Sequence, residues 1–136
     1  MRICGIEISG SEANFLILEG TKASFEMVAS TPLKLAIYDD ERNYEVRNFH
    51  KDIFTFFEKY SPDIIGIKKR NKKGDMAGGP IGFKIEGLIQ IFEGSEIQLV
   101  PPQTIAANLR KFNIAIPLSL KKYQHEAFKT AYTLLS

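Results

Sequence analysis

Residues 63–67, Asp-Ile-Ile-Gly-Ile, constrain the fold of this chain more than any other stretch. The run reads as a strand that is apolar on both faces, which suits an inner strand of a sheet covered by helices on each side. It leads directly into Lys68, Lys69, Arg70, Lys72 and Lys73. A glycine-rich turn follows, with Gly74, Gly78 and Gly79, and Pro80 stands where a helix should begin. Strand end, cations, permissive backbone and helix N-terminus thus fall within about twenty residues. Cations attract phosphate, glycine lets backbone approach closely, and free N–H groups at a helix start point at anions. The plainer alternative is a solvated loop whose lysines only maintain solubility.

The rest of the chain organises around that strand. Arg2 to Ile8 and Ala13 to Glu19 read as a hairpin with its turn at Ser9-Gly10-Ser11. A third strand, or a pair of short extended pieces, lies between Ala23 and Ile37 and is interrupted by Pro32. Val46, Phe49, Ile53, Phe56, Phe57 and Tyr60 recur at helical spacing, with Asp39 and Asp40 available as caps and Ser61-Pro62 as the stop. A second helix is predicted from Pro80 to Phe92, a fifth strand from Glu96 to Val100, a short helix around Ile105, Leu109 and Phe112, and a last helix from Leu120 to Leu135. This order predicts one α/β domain over residues 1–136, a five-stranded mixed sheet in which an antiparallel hairpin joins parallel strands through crossover helices on both faces.

Bulk properties exclude more than they select. A net charge of +2 is too small to imply nucleic acid, so the argument rests on where the charge is concentrated: at 68–73, and again at Lys121, Lys122 and Lys129. Cys4 is the only cysteine, which excludes an internal disulfide and a thiolate zinc cluster. Neither a signal peptide nor a membrane span is visible, and the chain reads as cytoplasmic.

Three carboxylates are candidates for chemistry. Glu7 lies inside an apolar strand, where alternation places it with Ile3 and Gly5, opposite Cys4, Ile6 and Ile8. A mid-strand carboxylate is costly unless paired, metal-bound or at an edge that meets water. Glu126 falls on the flank of the last helix, beside Tyr123 and Thr130. Glu86 has the weakest claim, since Lys84 and Glu93 nearby suggest a solvent face. His50 and His125 lack metal-ligand companions, and Asp39-Asp40-Glu41 suits a helix start. No Walker A, GxGxxG or GxSxG motif occurs.

The element order is similar to the ribonuclease H-like fold, and within it the chain resembles RuvC-type Holliday-junction resolvases. GIEISGSEA at 5–13 looks like their first-strand motif, DIIGIKKRNKKGDMAGGPIGFKIEGLIQ at 63–90 occupies the place of their fourth strand, substrate loop and second helix, and HEAFKTAYTLL at 125–135 looks like their last helix. More closely, the whole chain resembles a bacterial family of small proteins without assigned function, in which GIE, KGxxAGG, FKxEG and EAFKTAY lie in this order. The resolvase resemblance implies a two-metal site with acids on strand one, at the end of strand four and on the last helix. Glu7 fills the first position and Glu126 one position of the last helix, but Tyr123 stands one turn earlier and Lys68 replaces the strand-four acid. Lys68 could instead pair with Glu7 and hold the site as a salt bridge.

The leading expectation is therefore a RuvC-like protein that binds nucleic acid, DNA or RNA, through Lys68, Lys69, Arg70, Lys72 and Lys73, assisted by Lys121, Lys122 and Lys129, with weak, altered or absent nuclease activity. An alternative is an active Mg²⁺- or Mn²⁺-dependent nuclease with Glu7, Glu126 and Glu86 as ligands. A further alternative is a non-enzymatic module that scaffolds a homodimer. A small-molecule phosphate binder ranks last, because no base or sugar pocket is evident.

Overall fold

The computed structural model describes residues 1–73 and 79–136. Strands β1 (Arg2–Ser9) and β2 (Glu12–Gly20) form the antiparallel hairpin, paired from Arg2↔Glu19 to Ser9↔Glu12. Two residues close it, with Gly10 at a φ of +58°, a conformation that glycine adopts without a Cβ penalty. β2 carries two short partners along its outer edge, β3 (Phe25–Val28) against residues 17–20 and β4 (Lys34–Ala36) against residues 12–14. Pro32 separates these pieces, so of the two readings the pair of short extended pieces holds, and the five-stranded mixed sheet is the main order of a sheet with six strands.

On its other side β1 pairs in parallel with β5 (Ile64–Lys68), which pairs in parallel with β6 (Glu96–Val100). The order is β3-β2-β1-β5-β6, with β4 beside β2, and β5 is an inner strand. Helix α1 (Asn43–Tyr60) crosses from the antiparallel half to β5. Its cap is not Asp39 or Asp40: Arg42 precedes the helix without a side-chain cap bond. Asp39 instead accepts from the Glu41 N–H and the Arg42 guanidinium. Helix α2 (Pro80–Gln90) joins β5 to β6, and α3 (Pro102–Phe112) leads back through a loop. A 3₁₀ turn at Lys122–Gln124 opens α4 (His125–Leu134), which begins later than the predicted Leu120.

The sheet has a core on each face. Cys4, Ile6, Phe15, Ile17, Ile65 and Ile67 pack with Phe49, Ile53, Phe56 and Phe57 of α1 and with Ile85 and Ile89 of α2. Ile3, Leu16 and Leu18 pack with Ala127, Phe128, Ala131 and Tyr132 of α4. No helix among the described residues is long and apolar enough to cross a membrane.

Candidate functional site

The register of β1 and β5 pairs Gly5 with Gly66 and Ile6 with Ile67, so Glu7 and Lys68 are the next residues along neighbouring parallel strands. All four of Gly5, Gly66, Glu7 and Lys68 belong to the face covered by α4, because their neighbours Cys4, Ile6, Ile65 and Ile67 point into the other core. The paired glycines seat the helix. A Cβ at Gly5 would overlap the Ala127 carbonyl and lie 2.7 Å from the Ala131 Cβ, and one at Gly66 would overlap the Leu134 side chain. With no Cβ on either strand and small side chains on the helix, α4 rests almost on the sheet backbone. Its first turn thereby carries Glu126 over the ends of β1 and β5.

There Lys68 Nζ donates to Glu126 Oε1 at 2.8 Å, and Lys129 Nζ donates to Oε2 of the same carboxylate at 2.8 Å. The three side chains are 27–30% exposed, so the cluster is partly desolvated yet open on one side. Burial opposes the negative charge of Glu126, but the hydrogen bonds and charges of Lys129 and Lys68 outweigh it and hold the carboxyl below its ordinary range. Glu7 behaves oppositely. Burial raises its pKa, Lys68 pulls it back, Glu126 pushes it up again and Lys129 lowers it, with a net upward shift. No ion pair involves Glu7 among the described residues. The expected Glu7–Lys68 bridge is replaced by Lys68–Glu126, because the helix carboxylate reaches the ammonium from above while the strand carboxylate lies alongside.

One neighbour of Glu7 escaped the sequence reading. Asn14 lies opposite Glu7 in the hairpin register and is 2% exposed, with its Oδ1 unpartnered among the described residues. The polar residue in the otherwise apolar run Ala13 to Leu18 was the available signal. Next to it on β4, Lys34 sits over the Tyr123 ring at 4.8 Å, and so extends the basic rim around the start of α4.

The other predicted residues divide into two groups. Lys69, Lys72, Lys73, Lys121 and Lys122 are exposed. The Lys69 N–H donates to the Val100 carbonyl at 2.8 Å, which extends the β5–β6 pairing to the base of the loop. Arg70 turns inward: its guanidinium lies 5.0 Å from the Phe83 ring and against Gly82, and its Nη1 is buried without a partner among the described residues. That packing occupies one edge of a guanidinium whose residue is of intermediate exposure. Gly74 and Gly78 of the predicted turn lie outside the described residues. Glu86 corrects the solvent-face reading, being 8% exposed on α2. That helix packs on the opposite layer through Ile85 and Ile89, so Glu86 does not join Glu7 and Glu126.

These groups do not fit a divalent metal centre. Mg²⁺ and Mn²⁺ require hard oxygen ligands, and two-metal sites hold ions about 4 Å apart. Both oxygens of Glu126 are taken by lysines, which leaves Glu7 as the one carboxylate of the cluster outside an ion pair among the described residues. No group of three His, Cys, Asp or Glu among the described residues could hold an ion. An ammonium 4 Å from a cation costs about 4 kcal/mol per unit of cation charge at an effective dielectric of 20.

A family model matches residues 1–134 of the sequence. The chain belongs to the family described as "Protein of unknown function (DUF3010)". No curated protein matches the sequence. Among solved structures, it is similar to Thermus thermophilus RuvC, with a TM-score of 0.74 at 12% identity over 98% of this chain and 92% of that one. The same RuvC in complex with Holliday junction substrate gives 0.71 at 10% identity, covering 98% and 91% of the two chains. The fowlpox virus Holliday junction resolvase gives 0.52 at 14% identity, covering 98% and 94%. At such identities the likeness establishes the fold, and this chain has the RuvC-like, ribonuclease H-like architecture.

Proposed function

We propose that this chain binds the phosphate backbone of nucleic acid at the carboxyl ends of β1 and β5, and that it does not cleave that backbone efficiently with Mg²⁺. One observation supports the reading: the end of β5 and the first turns of α4 bring together Lys68 and Lys129 on the Glu126 carboxylate, and the chain continues from Lys68 into exposed Lys69, Lys72 and Lys73. Crevices outside the carboxyl ends of strands are where open α/β sheets take their ligands. The likeness to a RuvC bound to a Holliday junction substrate supports nucleic acid as the partner. Contacts of this kind carry charge and little base information, so affinity should be insensitive to sequence.

The test is fluorescence anisotropy on duplex, branched and single-stranded probes across a salt series. If about four phosphates are engaged, log K should fall with log salt at a slope of roughly −3. Replacing Lys69, Lys72 and Lys73 by glutamine should flatten that slope and weaken binding. Unchanged affinity in that variant, or no binding by the wild type, would leave the homodimer scaffold as the better account. Multiple turnovers on any probe with Mg²⁺ that disappear in Glu7→Gln would restore the nuclease.

A further inference from the structure

We infer that Lys68 and Lys129 form a metal-independent phosphodiester clamp, and that Glu126 is its built-in competitor. The inference rests on the nucleic-acid reading above and names the contact that would anchor the backbone. Two ammonium groups grip one carboxylate, each on a separate oxygen at 2.8 Å. A phosphodiester presents the same pattern, one negative charge shared over two non-bridging oxygens. The lysine pair is therefore already shaped around an anion of the ligand's charge and span. Each ammonium has three N–H donors and spends one on Glu126, so donors remain for a phosphate that enters from the open side. Glu126 offsets one of the two ammonium charges and Glu7 on the neighbouring strand faces the same pair, while the surroundings add exposed Lys69 at the loop base and, at the rim, Lys34, which also bridges Glu12 at 3.4 Å. Partial burial favours the exchange, since a desolvated charge gains more from a new partner than a surface lysine does.

The lysines come from different elements, Lys68 from the end of β5 and Lys129 from one turn into α4. Their spacing is consequently fixed by the Gly5–Gly66 seat rather than by a flexible loop. In this arrangement the internal cations supply the positive charge that a metal would otherwise bring to a backbone phosphate, without a Lewis acid and without a nucleophile. Binding and cleavage become separable.

The experiment uses the full chain, with binding to a duplex read by anisotropy in EDTA and again with Mg²⁺ at matched ionic strength. Wild-type affinity should be the same in both. Glu126→Gln keeps the shape but removes the competing charge, and should tighten binding by about tenfold, the scale of one charged hydrogen bond. Its salt slope should steepen by about one unit. Should Glu126→Gln fail to fold, Lys68→Gln with Lys129→Gln provides the converse, a loss of affinity and a slope flatter by about two. A mononucleotide should compete only weakly, which separates a backbone site from a nucleotide pocket. The inference is overturned if EDTA abolishes binding, if a mononucleotide competes as well as duplex, or if the wild type binds while these variants leave affinity and slope unchanged. In that last case the exposed loop alone would carry the proposed function. If the wild type binds no nucleic acid at all, both readings fall together.

Discussion

The two faces of one sheet are built on opposite packing rules. Toward α1 and α2 the strands present Phe15, Ile17, Ile65 and Ile67, and the helices answer with Phe49, Phe56, Phe57, Ile85 and Ile89. Large side chains hold those helices at a distance and bury apolar area. Toward α4 the two central strands present Gly5 and Gly66, and the helix answers with Ala127 and Ala131. Ile3, Leu16, Leu18, Phe128 and Tyr132 are large on this face too, but at the glycines the helix comes close enough for Lys68 and Glu126 to meet. Both faces bury a core, but the second also sets the close approach that brings the charged cluster together.

The largest effect should come from paired substitutions, one on each face. Phe57→Ala leaves a cavity in the first core and should cost about 3–5 kcal/mol in urea unfolding. Gly5→Ala forces a methyl group into the Ala127 backbone, and such overpacking costs about 1–3 kcal/mol, more where backbone must move. The two should then diverge in function. Native-state Phe57→Ala should bind nucleic acid as the wild type does, whereas Gly5→Ala should lose affinity because α4 lifts away from Lys68. Equal binding by both variants would break the contrast drawn between the faces. Gly87→Ala is the control, since nothing lies within 4 Å of the added Cβ and the helix should gain.

A second, smaller effect isolates the charge placed by that geometry. Lys68→Glu would set three carboxylates, at positions 7, 68 and 126, at the ends of neighbouring elements, where the wild type has two. Nucleic-acid affinity should fall, and Mn²⁺ should now raise the melting temperature by mass action. The wild type should show no such shift. A Mn²⁺-dependent melting temperature in the wild type, or none in the variant, would show that the three positions do not form a common site.

How much of this was legible in the sequence follows from the range of each interaction. Period-two alternation correctly separates Glu7 from Cys4, Ile6 and Ile8, because strand geometry is local. The inner position of β5 follows from its two apolar faces. Pro32 made a division of the third strand legible as one of two readings, but the bounds of β3 and β4 were not, since these pieces are four and three residues long and both pair with β2. Side-chain destinations were least legible. Lys68 prefers Glu126 to Glu7, a choice set by how far α4 descends, which depends on Gly5 and Gly66, both distant in sequence from the helix they seat. Arg70 belongs to a cationic run, yet it stacks on Phe83 because Gly82 leaves room for it. Charge is visible in a sequence, but its direction is decided by packing.

The smallest predicted effect is on pH, and it sets the two carboxylates of the α4 face against each other. Glu126 is held below the ordinary carboxylate range, so the unfolded chain binds its proton more readily than the folded one. Its contribution to stability is present above that range and is lost as pH falls through the folded value. Glu7 is shifted upward, so here the folded chain holds the proton more readily. Its contribution is therefore fully present below the ordinary range and declines as pH rises through the folded value. Subtracting the stability of Glu7→Gln from that of the wild type across pH 3–8 isolates the second slope, because glutamine stays neutral throughout. The difference should favour the wild type less as pH rises above the ordinary carboxylate range, by about 1 kcal/mol or less for a half-buried group. The same subtraction with Glu126→Gln should run the other way, with the wild type gaining relative stability as pH rises. Two differences of the same sign would mean that burial, and not the lysine pair, governs both carboxylates, and the distinction between an acid gripped by lysines and a neighbour dominated by burial would be lost.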